Sequence, residues 1–106
     1  MIDERTLRRI VTRIVAVARP SRVILFGSYG RGDPNEGSDV DLMVIKPRLD
    51  NRGEEMLRLY RAVGHIGAGL DLLVYSNEEY KRRSQVPGTV LYWARQEGRI
   101  LYESTH

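Results

Sequence analysis

A short segment of the chain carries two features that suit phosphate chemistry. Gly27-Ser28 follows the apolar run 23–26, and Asp39 and Asp41 open the next apolar run, 42–45. A glycine turn beside a hydroxyl can receive a phosphate through backbone N–H groups. A carboxylate pair can hold a hard cation such as magnesium. Together the two features indicate phosphoryl or nucleotidyl chemistry.

A third acid, Asp71, stands within the otherwise apolar run 70–75. A carboxylate in such a run is costly unless it is paired, bound to a metal or placed at the edge of a sheet. We therefore expect Asp71 to belong to the same site as Asp39 and Asp41.

Hydrophobic periodicity and breaker residues predict the elements that position these residues. The predicted helices are 3–18 with Asp3 as N-cap, 54–64, 76 to about 84, and 87–98, with one helical turn near 29–32. The predicted strands are 22–27, 39–46, 70–75 and 100–102. Side chains alternate along a strand, so Asp39 and Asp41 share a face with Met43, and Leu42 points to the opposite face.

Connection lengths limit how the strands pair. Residues 28–38 are too few for the usual parallel crossover, so the first two strands are predicted to be antiparallel. The longer connection to the third strand contains a helix, which suits a parallel, right-handed crossover. Under this topology Gly27, Asp39, Asp41 and Asp71 lie at one edge of the sheet, whereas a different strand order would separate them.

Bulk composition excludes several classes of protein. At 106 residues the chain is predicted to be a single domain, 1–106, and the absence of cysteine excludes disulfides and thiolate metal sites. No run of 18 apolar residues indicates a membrane span, and the charged N-terminus does not resemble a signal peptide, so a cytoplasmic protein is expected. The net charge of +3 fits nucleotide phosphates, nucleic acid or an acidic partner, but it also fits an ordinary solvated surface.

The compound motif resembles the DNA polymerase beta-like nucleotidyltransferase superfamily. Its residues are Gly27-Ser28, an intervening stretch 29–38 that includes Gly30-Arg31-Gly32, Asp39-Val40-Asp41, and finally Asp71. Within that superfamily the length and the C-terminal stretch 88–102 resemble the minimal nucleotidyltransferases (MNT), antitoxins that pair with helical HEPN proteins. The resemblance covers most of the chain.

The resemblance implies an α/β fold, in which a small mixed sheet is flanked by helices. It also implies that Asp39, Asp41 and Asp71 ligate two Mg²⁺ ions, and that Asp71 helps to activate the attacking hydroxyl. Gly27 and Ser28 would bind the terminal phosphates of the nucleotide. Chemistry independently supports these metal-binding roles, because a nucleoside triphosphate is highly negative and needs cations before its α-phosphorus can be attacked.

The resemblance therefore implies a Mg²⁺-dependent enzyme that transfers AMP from ATP to a hydroxyl of a partner HEPN toxin. The alternative is a non-catalytic nucleotide-binding or partner-occluding subunit. An antibiotic nucleotidyltransferase would need an added acceptor domain, and a non-catalytic nucleic-acid binder would need a recognisable module.

Each candidate residue also has a purely structural interpretation. Gly27 to Gly37 can be a turn-rich loop, and Asp39 with Asp41 can be edge-strand charges that oppose aggregation. Arg31 is a candidate phosphate ligand, but a surface position suits it nearly as well. Further residues are interpreted as structural or solvent-exposed: His65, Tyr92 and Trp93 (core or interface rather than base stacking), and the basic run Lys81-Arg82-Arg83.

Overall fold

A mixed four-stranded sheet forms the centre of the fold in the computed structural model, which describes residues 1–104. Its strands are β1 (Arg22–Phe26), β2 (Val40–Lys46), β3 (Leu70–Ser76) and β4 (Arg99–Glu103). The spatial order is β3-β2-β1-β4. β1 is antiparallel to both β2 and β4, and β2 is parallel to β3. The predicted pairing of the first three strands and the predicted fold class are confirmed.

Each helix except the short one that starts at Gly27 follows a residue whose side chain accepts a hydrogen bond from a free backbone N–H group. The helices are α1 (Glu4–Ala18), α2 (Gly27–Arg31), α3 (Arg52–Val63), α4 (Asn77–Arg83) and α5 (Val90–Glu97). Asp3 accepts a hydrogen bond from the N–H of Thr6 at 2.8 Å, which confirms it as the N-cap of α1. Among residues 1–104, no helix has the length and apolarity needed to cross a bilayer.

Four predicted boundaries are wrong for local reasons. α3 begins two residues earlier than predicted because Asn51 caps it, and α5 begins at Val90, after the cap residue Thr89. β1 ends at Phe26 because Gly27 turns the chain directly into α2. β2 begins at Val40, so Asp39 precedes the strand instead of belonging to it.

The two faces of the sheet carry separate hydrophobic clusters. The larger cluster packs α1 and α3 against one face, where Leu42 is fully buried. The smaller cluster packs α5 against the other face, around Met43 and Ile45. The predicted alternation along β2 is therefore confirmed. Full burial of a side chain such as Leu42 stabilises the folded state by about 2 kcal/mol.

A buried carboxylate fastens α3 to the end of β2. Glu55 is 8% exposed and pairs with Lys46 of β2. Its other oxygen accepts a hydrogen bond from Arg58 Nε at 2.7 Å. The bond from Arg58, followed by the contact with Lys46, lowers the pKa of Glu55, despite the opposing effect of burial. This network holds the crossover helix, and so β3, in place beside β2.

Candidate active site

The strand register brings two of the predicted acids together at the end of the sheet where β2 and β3 begin. Asp41 of β2 is the register partner of Asp71 of β3 in the parallel pair, and of Phe26 in the antiparallel pair with β1. Because β1 ends where β2 begins, the turn at Gly27 lies at the same end of the sheet. The predicted convergence of the glycine turn with this carboxylate pair is thus found in the structure.

The electrostatic environment of Asp41 is unfavourable for a carboxylate. Burial, contact with the Asp71 carboxyl and the negative charges of Asp71 and Asp39 raise the pKa of Asp41 to about 6, while Arg31 acts in the opposite direction. Two neighbouring carboxylates resist simultaneous ionisation unless a cation lies between or beside them. The pair is therefore suited to attract positive charge.

Asp39 and Asp71 are both exposed. Asp71 lies near the start of β3, which is an edge strand, so an edge position, one of the three conditions expected to make this acid tolerable, is met. Asp39 extends towards Gly69, where an added Cβ would lie 2.0 Å from Asp39 Oδ1. Within residues 1–104, no three acidic or histidine side chains stand close enough together, as placed, to hold one metal ion. The structure thus assembles the Asp41–Asp71 pair, with Asp39 beside it.

Gly27 brings its backbone directly against the Asp41 carboxylate. Its φ of 66° lies in the left-handed region, which disfavours residues with a side chain. A Cβ at this position would lie 2.2 Å from Asp41 Oδ2, well inside van der Waals contact. Ser28 follows in the first turn of α2. The predicted glycine turn and the carboxylate pair are therefore one continuous surface.

Arg31 ends α2 with its guanidinium near the same surface. Arg31 is exposed and lies 3.6 Å from Asp33 and 3.8 Å from Glu97, measured between charged atoms. It is near enough to Asp41 to act on the pKa of that carboxyl. The structure thus places Arg31 beside the site, while its role in phosphate binding stays a prediction.

A cleft of about 330 Å³ opens beside Gly27 and contains residues that the sequence did not assign to the site. Its lining residues are Phe26, Gly27, Arg31, Trp93 and Glu97. Of the two structural interpretations of Trp93, core and interface, the core interpretation is wrong, since the side chain is half exposed. One signal could have found it: Trp93 and Glu97 are four residues apart, on a side of α5 different from the buried Leu91 and Ala94.

The chain is similar to known proteins both in sequence and in structure. The family model described as "Nucleotidyltransferase domain" matches residues 4–104. A curated relative of Methanocaldococcus jannaschii, "Putative protein adenylyltransferase MJ0141", is 36% identical over 53 residues, which cover 50% of this chain and 52% of the relative. The alignment therefore spans about half of the relative's length.

Solved structures share the fold across nearly the whole chain. A mutant of the toxin–antitoxin MntA–HpeT aligns with a TM-score of 0.60 at 24% identity, covering 99% of this chain and 76% of the other. A toxin–antitoxin solved with AMP-PNP aligns with a TM-score of 0.58 at 24% identity, covering 92% and 74%. These structural similarities establish the architecture. Family membership is shown by the sequence, since the family model covers all but the first three and last two residues. The chain belongs to the nucleotidyltransferase domain family.

Proposed function

We propose that this chain transfers AMP from ATP to a hydroxyl group on a protein partner. The observation that carries the proposal is the Asp41–Asp71 carboxylate pair, held directly against the glycine turn at Gly27. Family membership supports the reaction class. The adenylyltransferase relative supports AMP as the transferred group, and the AMP-PNP complex of a structural neighbour supports ATP as its donor.

The carboxylates fit Mg²⁺ ions, since Asp41 and Asp71 are register partners on neighbouring strands and Mg²⁺ prefers oxygen ligands. Asp39, Asp41 and Asp71 would hold two such ions. When bound, they supply positive charge that stabilises the attacking and leaving oxygens. This requirement explains why like charges are kept at one edge of the sheet, at a cost to stability.

The other residues orient the donor nucleotide. The backbone at Gly27 and the hydroxyl of Ser28 would contact the terminal phosphates, because the missing Cβ leaves room for close approach. Arg31 would add positive charge there. The acceptor oxygen attacks the α-phosphorus in line with the departing group. A new O–P bond forms, the bond to the bridging oxygen breaks, and pyrophosphate leaves. The exposed Asp71 carboxylate would accept the hydroxyl proton.

The acceptor is proposed to be a tyrosine of a helical HEPN toxin, which makes this chain an antitoxin. The toxin–antitoxin neighbours support a toxin as partner. The C-terminal aromatic residue Tyr92 is partly exposed and would contribute to the surface that contacts this partner, because aromatic residues are favoured at interfaces. The cytoplasmic location and the single-domain organisation over 1–106 stay predictions.

Intact-mass spectrometry tests the proposal. The protein encoded by the neighbouring reading frame is mixed with this chain, ATP and magnesium, and it should gain about 329 Da for each AMP added. Asp41→Asn should give no gain, whereas Glu36→Gln, a change at an exposed acid in the loop before Asp39, should act like the wild type. An unchanged partner mass, with ATP bound to the folded protein, would favour the non-catalytic nucleotide-binding or partner-occluding alternative.

A further inference from the structure

Trp93 is the only tryptophan of the chain, and 50% of its surface is exposed. The buried residues of α5 are Leu91 and Ala94, so Trp93 is not needed to seat the helix on the sheet. Its ring meets that of Tyr92 edge to face, with centroids 5.1 Å apart and planes at 84°. This edge-to-face contact with Tyr92 holds the indole ring in place without covering both of its faces.

The position of Trp93 beside Gly27 indicates its function more clearly than its exposure does. Trp93 and Phe26 line the same cleft, which reaches Gly27. Gly27 in turn lies against Asp41, so the cleft continues directly from the surface proposed to bind phosphates. A nucleotide that places its phosphates at Gly27 therefore has an aromatic-walled recess within reach of its other end.

The size and chemistry of the cleft favour a nucleobase as its occupant. Its volume of about 330 Å³ is at the lower end of the range for small-molecule sites. That volume suits one flat ring system, whereas a partner helix would need a long groove. Aromatic side chains bind bases by stacking with little dependence on sequence, and a nearby arginine adds a cation–π contribution.

We propose that Trp93 is the platform on which the base of the donor nucleotide stacks. This inference rests on the proposed function, because it assigns the base end of the same nucleotide whose phosphates meet Gly27. It makes Trp93 a binding residue for the donor and separates it from the acceptor side of the site.

Tryptophan fluorescence tests the inference directly, since all tryptophan emission comes from position 93. In the presence of magnesium, ATP should quench this emission, whereas inorganic tripolyphosphate, which has no base, should bind without quenching it. By calorimetry, Trp93→Ala should bind ATP about 10-fold more weakly and tripolyphosphate with unchanged affinity. Trp93→Phe should recover most of the ATP affinity.

The matched control is Leu57→Ala, which removes an equally exposed apolar side chain on α3 and should leave both affinities unchanged. Equal ATP affinity in Trp93→Ala and the wild type would overturn the inference and leave the proposed function intact. If transfer to the partner were lost at that unchanged affinity, Trp93 would belong to the acceptor side, and the inference would again be wrong. Failure of the wild-type protein to bind ATP at all would refute the proposed function itself.

Discussion

Asp41→Asn should stabilise the metal-free protein at neutral pH and abolish AMP transfer. The asparagine keeps the shape of the side chain and removes its charge. Its amide can also donate a hydrogen bond to the Asp71 carboxylate, where the wild type has two like charges in contact. Loss of activity combined with a gain in stability is the signature of a residue retained for charge at the site.

The magnitude follows from the pKa of Asp41, which is about 6 in the folded protein against 3.8 for an aspartate side chain free in water. At about 1.4 kcal/mol for each pKa unit, the ionised Asp41 destabilises the folded state by about 3 kcal/mol before solvent is considered. Asp41 is only partly buried, so water screens much of this repulsion and about 1 kcal/mol is a better expectation. In a domain of this size that gain raises Tm by about 5 °C.

The contribution of Asp41 to the stability of the folded protein changes with pH in one direction only. The folded state holds the proton of Asp41 more tightly than the unfolded state, so this group makes the protein less stable as pH rises from about 4 to about 6. Above that window the full penalty is present, and below it Asp41 is protonated in both states. The advantage of Asp41→Asn should therefore be present at pH 7 and vanish near pH 4.

Thermal unfolding at both pH values, in low salt with a chelator, measures this difference. Taking the difference between variant and wild type cancels the titration of other carboxyls, such as Glu4 and Glu79, whose pKa values are lowered by their partners. Glu36→Gln, which removes one exposed charge nearby in the sequence, should show no such pH-dependent gain. An Asp41→Asn protein with an unchanged or lower Tm at pH 7 would refute the electrostatic argument.

The remaining predictions concern the core, the α3 anchor, the glycine turn and ligand binding. Leu42→Asp should abolish cooperative thermal unfolding, because it buries an unpaired carboxylate at a cost of several kcal/mol; a folded variant would contradict the assigned face. Glu55→Gln should lower stability by about 1–2 kcal/mol at pH 7, measured by urea denaturation. The deficit should shrink below about pH 4.5, as the native carboxyl loses its charge-assisted bonds to Arg58 and Lys46. Gly27→Ala should cost about 1–3 kcal/mol and displace the Asp41 carboxylate, so equal stability and activity would be evidence against the close approach. Magnesium with ATP should raise Tm more than either alone and should do so less in Asp41→Asn; the absence of any joint effect would argue against the metal site.

The carboxylate pair could be predicted from the sequence because both inferences that it needed depend on residues close together in the chain. Alternation along β2 fixed the face of Asp41, and the lengths of the two connections fixed the strand directions. The exposure of Asp71 was not predictable in the same way. It depends on β3 being an edge strand, and strand order is decided by packing between elements far apart in the chain.

The assignment of Trp93 to the core, one of its two structural interpretations, was wrong for a related reason. The helical spacing of Trp93 shows that it leaves the buried stripe of α5, but nothing near it in the sequence shows what it faces. Its place beside Gly27 arises because α5 packs against β1, more than sixty residues earlier in the chain. The boundary between β1 and α2 at Gly27 was also predicted wrongly. A glycine after an apolar run can either extend a strand or begin a helix, and only the three-dimensional structure shows the positive φ of Gly27 that ends the strand.

The parallel pairing of β2 with β3 also governs the order of folding. The antiparallel pair β1–β2 joins residues close in the chain, whereas β2 and β3 meet only after the connecting segment with α3 has crossed the sheet. Non-local parallel pairing is the slower event, because loop-closure entropy is lost before the contacts form. We therefore expect amides of β3 to gain protection from hydrogen exchange after those of β1 and β2. The two carboxylates would then meet late in folding, so like charges oppose one another only once most of the sheet is already in place.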